Sequence, residues 1–116
     1  TAEDFVNDTY ITYHTTPESK GEYEQLFNPN NLLPKKVIRA GVTDAVVEFV
    51  SQGHGITIMP YWSIKPWLTS REISLVRVTE QGIYIDWQTI TRKDEPKDSQ
   101  ASLFAAFLSE TSLREL

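Results

Sequence analysis

The sequence predicts an α/β fold, a mostly parallel sheet flanked by helices with a further helix at its C-terminal end. Three observations carry this expectation. Residues 9–14, Thr-Tyr-Ile-Thr-Tyr-His, are β-branched and aromatic throughout and read as a strand. Residues 40–60 read as strand end, tight turn, amphipathic helix, tight turn and short strand. A helix laid between two strands in so few residues is a crossover, and crossovers join parallel strands. Leu103, Phe104, Phe107 and Leu108 recur at helical spacing and give the last helix an apolar stripe.

The elements follow in order. After the first strand, Thr16 is an N-cap candidate with Pro17 at the first helical position. The helix then runs to about Phe27, burying Tyr23, Leu26 and Phe27, until Asn28-Pro29-Asn30-Asn31 breaks it. Residues 37–40 form a second strand feeding a helix at Thr43, whose hydroxyl suits an N-cap, and Asp44 complements the helix dipole. Ala45, Val46, Phe49 and Val50 form its buried side, with Asp44, Glu48, Ser51 and Gln52 opposite. Gly53 and Gly55 are expected to supply the positive φ of the exit. Ile56, Ile58 and Met59 make a short strand that Pro60 stops.

Residues 61–65 make a helical turn closed by Pro66 and Trp67. Residues 73–78 read as a strand, and Ile83, Ile85 and Trp87 alternate with Tyr84, Asp86 and Gln88 in another. Residues 93–98 are a charged turn or linker, after which Ser99 caps the last helix. The predicted order is β-α-β-α-β-α-β-β-α.

Composition narrows the function. With 116 residues, 40% apolar and 23% charged, the chain suits one domain or part of one with a single core. No apolar run approaches the ~20 residues of a membrane span. Without cysteine, disulfides and thiolate metal sites are excluded, which fits a cytoplasmic setting. The net charge is −5, and the basic residues are scattered singly or in pairs. A surface that grips DNA phosphates is basic, so this segment is not a DNA reader. The opening Thr-Ala-Glu-Asp-Phe reads as a piece of a longer protein, the alternative being maturation of a secreted one.

Val50, Gly53, Gly55, Ile56 and Pro60, in the pattern Val-x-x-Gly-x-Gly-Ile-x-x-x-Pro, resemble the effector-binding domain of LysR-type transcriptional regulators. The Thr43-Asp44-Ala45 helix opening is similar too, as is the order of elements along the whole chain. The resemblance implies a type II periplasmic-binding-protein-like subdomain, the second of two that enclose a small-molecule cleft. Residues 1–98 would be that subdomain. Residues 99–116 would be a C-terminal helix packing on a first subdomain that, with a winged helix-turn-helix, precedes Thr1. Trp62 after Pro60 and Trp87 in the late strand are most similar to the methionine-biosynthesis branch of the family, which responds to homocysteine. The implied function is sensing a small metabolite, homocysteine or another amino-acid-like anion, to control transcription, in a homo-oligomer that meets DNA only through another domain. No cofactor is implied. The alternative is one lobe of a solute-binding protein for transport, which shares the fold.

Two candidate helix starts, Thr16 and Thr43, fall at the carboxyl edge of the expected sheet, where open α/β sheets bind ligands. Helix N-termini there offer N–H groups to an anion. The resemblance points to the same places: Thr15 and Thr16 after the first strand, and Gly41, Val42 and Thr43 before the next helix. The plainer reading of both threonines is capping. His14, at a strand end, either faces the cleft or is structural, and His54 between glycines is solvated. Two histidines without cysteine do not make a metal site. No serine lies in a Gly-x-Ser-x-Gly turn, and Gly53-His54-Gly55 ends a helix where a phosphate loop would begin one. No catalytic triad or carboxylate pair can be assembled, so no enzyme is expected. Tyr61, Trp62 and Trp67 serve as core, as cleft wall or as a surface for the first subdomain. The stripe on the last helix needs cover, since leaving it in water forgoes roughly 1.5–3 kcal/mol per side chain. A dimer through this helix is therefore expected.

Overall fold

A computed structural model describes residues 3–14, 16–85 and 87–111. It divides into two compact units, residues 1–85 and 86–116. In the first, helix α1 (Asp4–Asn7) leads into strand β1 (Thr9–Thr12), which pairs in parallel with β2 (Lys36–Arg39). The register sets Thr9 against Lys36 and Thr12 against Arg39. On the other side of β1, Tyr10 bridges in parallel to Ile56. Ile11 N–H donates to the Ile56 carbonyl at 2.8 Å, and Ile56 N–H donates to that of Thr9 at 2.9 Å. Helix α2 (Thr43–Ser51) carries the chain from β2 across to Ile56. The parallel crossover read from the sequence is present, but its final strand is reduced to this one bridge.

β1 is central and buried on both faces, with Tyr10 at 1%, Ile11 at 0% and Thr12 at 6% exposure. On one side Phe5, Tyr10, Leu26 and Phe27 form the core, with Tyr23, Val37, Ile56, Val78 and Ile83 packed against it. Phe27 is edge-to-face with Phe5, Tyr10 and Tyr23 at 5.4, 5.5 and 5.0 Å between centroids, a geometry favoured by the ring quadrupoles.

Val46 and Val47 are the fully buried residues of α2, whereas Phe49 is exposed and meets the edge of the His54 ring at 5.8 Å. The helix is thus rotated from the expected face, since Val47 takes the place assigned to Phe49. Val42, with extended φ and ψ, is the N-cap, and Thr43 is the first helical residue. The side chain of Thr43 caps nothing, contrary to the sequence reading. At the exit Gly53 has φ +75, as expected, but Gly55 does not lie in the left-handed region. Gly55 is needed for a different reason: a Cβ there would overlap the carbonyl oxygen of Thr9, where the backbones of β1 and the Ile56 bridge meet.

The helix expected from Thr16 begins later. Gly21 N–H closes a turn on the Glu18 carbonyl at 3.0 Å, and Lys20 has φ 57. A left-handed residue interrupts right-handed helix, so Thr16 caps no helix and Pro17 starts none. A π-helical turn, Tyr23–Phe27, follows and passes into the 3₁₀ turn Asn28–Asn30, which ends at left-handed Asn31. α3 (Tyr61–Ile64) and the 3₁₀ turn Lys65–Trp67 match the expected helical stretch. Tyr61 and Trp62 are exposed, which removes the core reading for both.

Residues 73–78 and the described part of 83–88 form no ladder, contrary to expectation; Asp86 lies outside the described residues. Leu75 and Val76 are 53% and 81% exposed. Their alternation favours extended backbone but brings no partner strand. The Gln25 side-chain amide stands in for one, its Nε2 donating to the Tyr84 carbonyl at 2.6 Å and its Oε1 accepting from Tyr84 N–H at 3.2 Å.

In the second unit Arg92 pairs with Glu95 at 3.1 Å across a turn. Helix α4 (Gln100–Glu110) follows, capped as expected by Ser99, whose Oγ accepts from Ser102 N–H at 3.1 Å. Leu103, Phe104 and Phe107 are each about 60% exposed, and the two phenyl rings stack at 6.4 Å. Among the described residues no helix is long and apolar enough to cross a membrane.

Candidate functional site

The parallel pairing of β1 and β2 puts two chain exits side by side at the carboxyl edge of the sheet. Thr12 and Arg39 are register partners, and Ala40 N–H continues the ladder to the Thr12 carbonyl at 2.8 Å. From β1 the chain leaves through Tyr13, His14 and Thr16; Thr15 lies outside the described residues. From β2 it turns through Gly41, at φ +79, and Val42 into α2.

Each exit offers different chemistry. The first turn of α2 has no side-chain cap, and the Thr43 hydroxyl makes no hydrogen bond within the described residues. Backbone N–H groups and a hydroxyl are therefore grouped at the positive end of a nine-residue helix. Val42 is 60% exposed, and nothing lies within 4 Å of where a Gly41 Cβ would be, so the turn is open. Beside the β1 exit, Thr12, His14, Thr16, Glu22, Tyr23 and Arg39 line an indentation of about 10 Å³, room for roughly one water.

His14 Nε2 lies 3.3 Å from the Glu18 carboxylate, and its ring rests on Tyr13 at 4.0 Å. Glu22, which the sequence reading passed over, is buried and accepts from the Tyr10 hydroxyl at 2.8 Å. Burial, then the Glu22 charge, push the Tyr10 pKa far above its usual range, so the phenol stays protonated and donates. Burial also raises Tyr13 and Tyr23. No sequence motif marked Glu22. The available hint was spacing, a carboxylate one residue before the buried stripe beginning at Tyr23.

A larger depression, about 420 Å³, lies at the opposite, amino edge among Asp8, Lys35, Lys36, Gly53, His54 and neighbours. Its charged side chains are exposed and of both signs, as on an ordinary wet surface. The carboxyl edge is the better candidate, because it joins unfilled backbone donors to a buried charge. Among the described residues no group of three His, Asp or Glu side chains could hold a metal ion.

In open α/β sheets, ligands bind outside the carboxyl ends of the strands, the edge at which the start of α2 lies here. Residues 1–112 match the LysR substrate binding domain family, and the chain belongs to it. It is similar to the HTH-type transcriptional regulator MetR of Haemophilus influenzae, 26% identical over 94 residues, covering 81% of this chain and 30% of that protein. Among solved structures it is similar to the regulatory domain of MetR, a LysR family regulator from N. meningitidis. A form of that domain with two cysteines replaced by serine is 30% identical with a TM-score of 0.65, covering 72% of this chain and 38% of the other. The unmutated domain is 28% identical with the same TM-score and coverage. The chain thus spans about a third of the length of these relatives. The type II binding-protein-like fold and the regulator family agree with the sequence reading; nothing among these relatives supports the transport alternative, and the family is not an enzyme class.

Proposed function

We propose that this chain is the second effector-binding subdomain of a MetR-like transcriptional regulator. In this reading a small amino-acid-like metabolite, homocysteine being the leading candidate, binds between this subdomain and a first one. Thr15 and Thr16 meet it from the β1 exit; Gly41, Val42 and Thr43 meet it from the α2 start. The observation that carries the reading is the uncapped first turn of α2 beside the end of β1. An anionic carboxylate suits those donors. Binding favours one subdomain orientation, and that bias passes to a winged helix elsewhere in a cytoplasmic regulator.

The test is thermal denaturation of the intact regulator with and without L-homocysteine. Ligand at a hundred times its dissociation constant adds about 2.7 kcal/mol. Thr43→Ala should weaken binding by roughly tenfold, the loss of one hydrogen bond to a charged group. A full midpoint shift that survives the substitution would remove Thr43 from the site.

Residues 99–116 belong, in the same reading, to the helix that returns to the first subdomain, which explains the exposed Leu103, Phe104 and Phe107. When residues 1–116 are expressed alone, that stripe should pair two copies. Light scattering at rising concentration should then show a dimer, and a monomer throughout would refute the pairing.

A further inference from the structure

We infer that Gln25 is a positioning residue for the regulatory response: its side-chain amide pins the backbone of Tyr84 and so fixes the point from which the chain after residue 85 can swing. The inference rests on the reading that an effector shifts the orientation of two subdomains, since a swing transmits nothing unless one end of it is held. Gln25 and Tyr84 both lie in the first compact unit, and the two units divide between residues 85 and 86. The clamp therefore grips the last residue but one before the division.

The amide is fully used. Its Nε2 donates to the Tyr84 carbonyl at 2.6 Å and to the Lys20 carbonyl, while its Oε1 accepts from Tyr84 N–H at 3.2 Å. Bonding both backbone groups of one residue is the way one antiparallel strand holds another, and residues 83–85 have no ladder of their own. The base of the clamp is rigid, because Gln25 is followed directly by Leu26 and Phe27, at 4% and 0% exposure. All three belong to the π-helical turn, a rare form that recurs at functional sites. The approach to Tyr84 is fixed as well. Thr79 Oγ1 accepts from Gly82 N–H at 2.8 Å to close a turn, and Ile83 packs against the core. Beyond the division Ile90 is 92% exposed.

Stability alone does not account for the clamp. Gln25 and Tyr84 are both exposed, so water would satisfy the same groups, and the exchange gains little free energy. What two bonds to one residue add is geometry. They stop the segment from sliding or turning, so the chain leaves the unit along one path.

The test is pulsed electron spin resonance on the intact regulator, with nitroxide labels at Glu72→Cys and Lys97→Cys, exposed positions on either side of the division. Residues 1–116 hold no cysteine to compete for label, and dilution with unlabelled protein restricts the reading to pairs within one chain. The variant is Gln25→Met, which keeps the length of the side chain and removes the amide. It should widen the distribution of label distances about twofold and speed exchange of the Tyr84 amide hydrogen roughly tenfold, with little change in urea midpoint. A lower midpoint with an unchanged distribution would mean that Gln25 only stabilises the fold, and would overturn the inference. An unchanged distribution with faster exchange, or unchanged exchange, would overturn it too. Added L-homocysteine tests the underlying reading separately: it should shift the wild-type distance, and shift it less in Gln25→Met. No shift in wild type, with the width still responding to the substitution, would overturn homocysteine as the effector and not the clamp.

Discussion

Gly55→Ala should be among the most damaging single-methyl additions in the chain. The new Cβ would overlap the Thr9 carbonyl oxygen and lie 3.0 Å from the Thr9 carbonyl carbon. These are backbone atoms of the central strand, and they cannot turn away as a side chain would. The same oxygen accepts from Ile56 N–H, so relief of the clash breaks the bridge that closes the sheet. A loss of about 3 kcal/mol is expected. Gly53→Ala is the control. Its φ is positive but nothing lies within 4 Å of the added carbon, so the expected loss is about 1–2 kcal/mol of backbone strain. Urea unfolding should therefore rank Gly55→Ala well below Gly53→Ala in midpoint. The reverse order would mean that β1 and Ile56 do not approach as described.

Phe27→Ala should cost about 3–5 kcal/mol, the range for emptying a buried phenyl site. Phe27 is fully buried and meets three other aromatic rings edge-on. Because domains of this size are stable by only ~5–15 kcal/mol, the variant should melt at a far lower temperature or fail to fold. Phe49→Ala should cost less than ~1 kcal/mol, since Phe49 is 37% exposed and its ring contact is with His54. Equal losses at the two phenylalanines, read from denaturant midpoints, would contradict the observed face of α2.

The contrast between these phenylalanines shows what the sequence does and does not encode. Both are apolar residues at helical spacing. Phe27 follows a stripe with Tyr23 and Leu26 that the core accepts. On α2 an apolar residue stands at each of Ala45, Val46, Val47, Phe49 and Val50, so periodicity leaves the buried face undecided by one position. Packing against β1 chooses Val47. The strand at Thr9 was legible because β-branched and aromatic residues there admit little else. Residues 73–78 carry a similar alternation, but pairing depends on a neighbour that no local pattern can report. Of the candidate site, the α2 start was legible from its glycine turn and Thr-Asp opening. The β1 exit was misread because Thr16-Pro17 has the form of a helix start while Lys20 and Gly21 hold a turn that delays it. Glu22 escaped notice since nothing in a single line of residues reveals that Tyr10 reaches it.

The parallel arrangement around β1 has a kinetic side. The first ladder bond of the sheet waits until Thr9 finds Lys36 or Tyr10 finds Ile56, and among the described residues no hairpin offers a nearer starting point. Each pairing closes a long loop, and the entropy of that closure precedes the energy it returns. The burden falls on the speed of folding more than on final stability. Until both closures are made, β1, the most buried stretch of the molecule, exposes Tyr10 and Ile11 along an unpaired edge, and in that interval the chain is most open to joining another copy of itself.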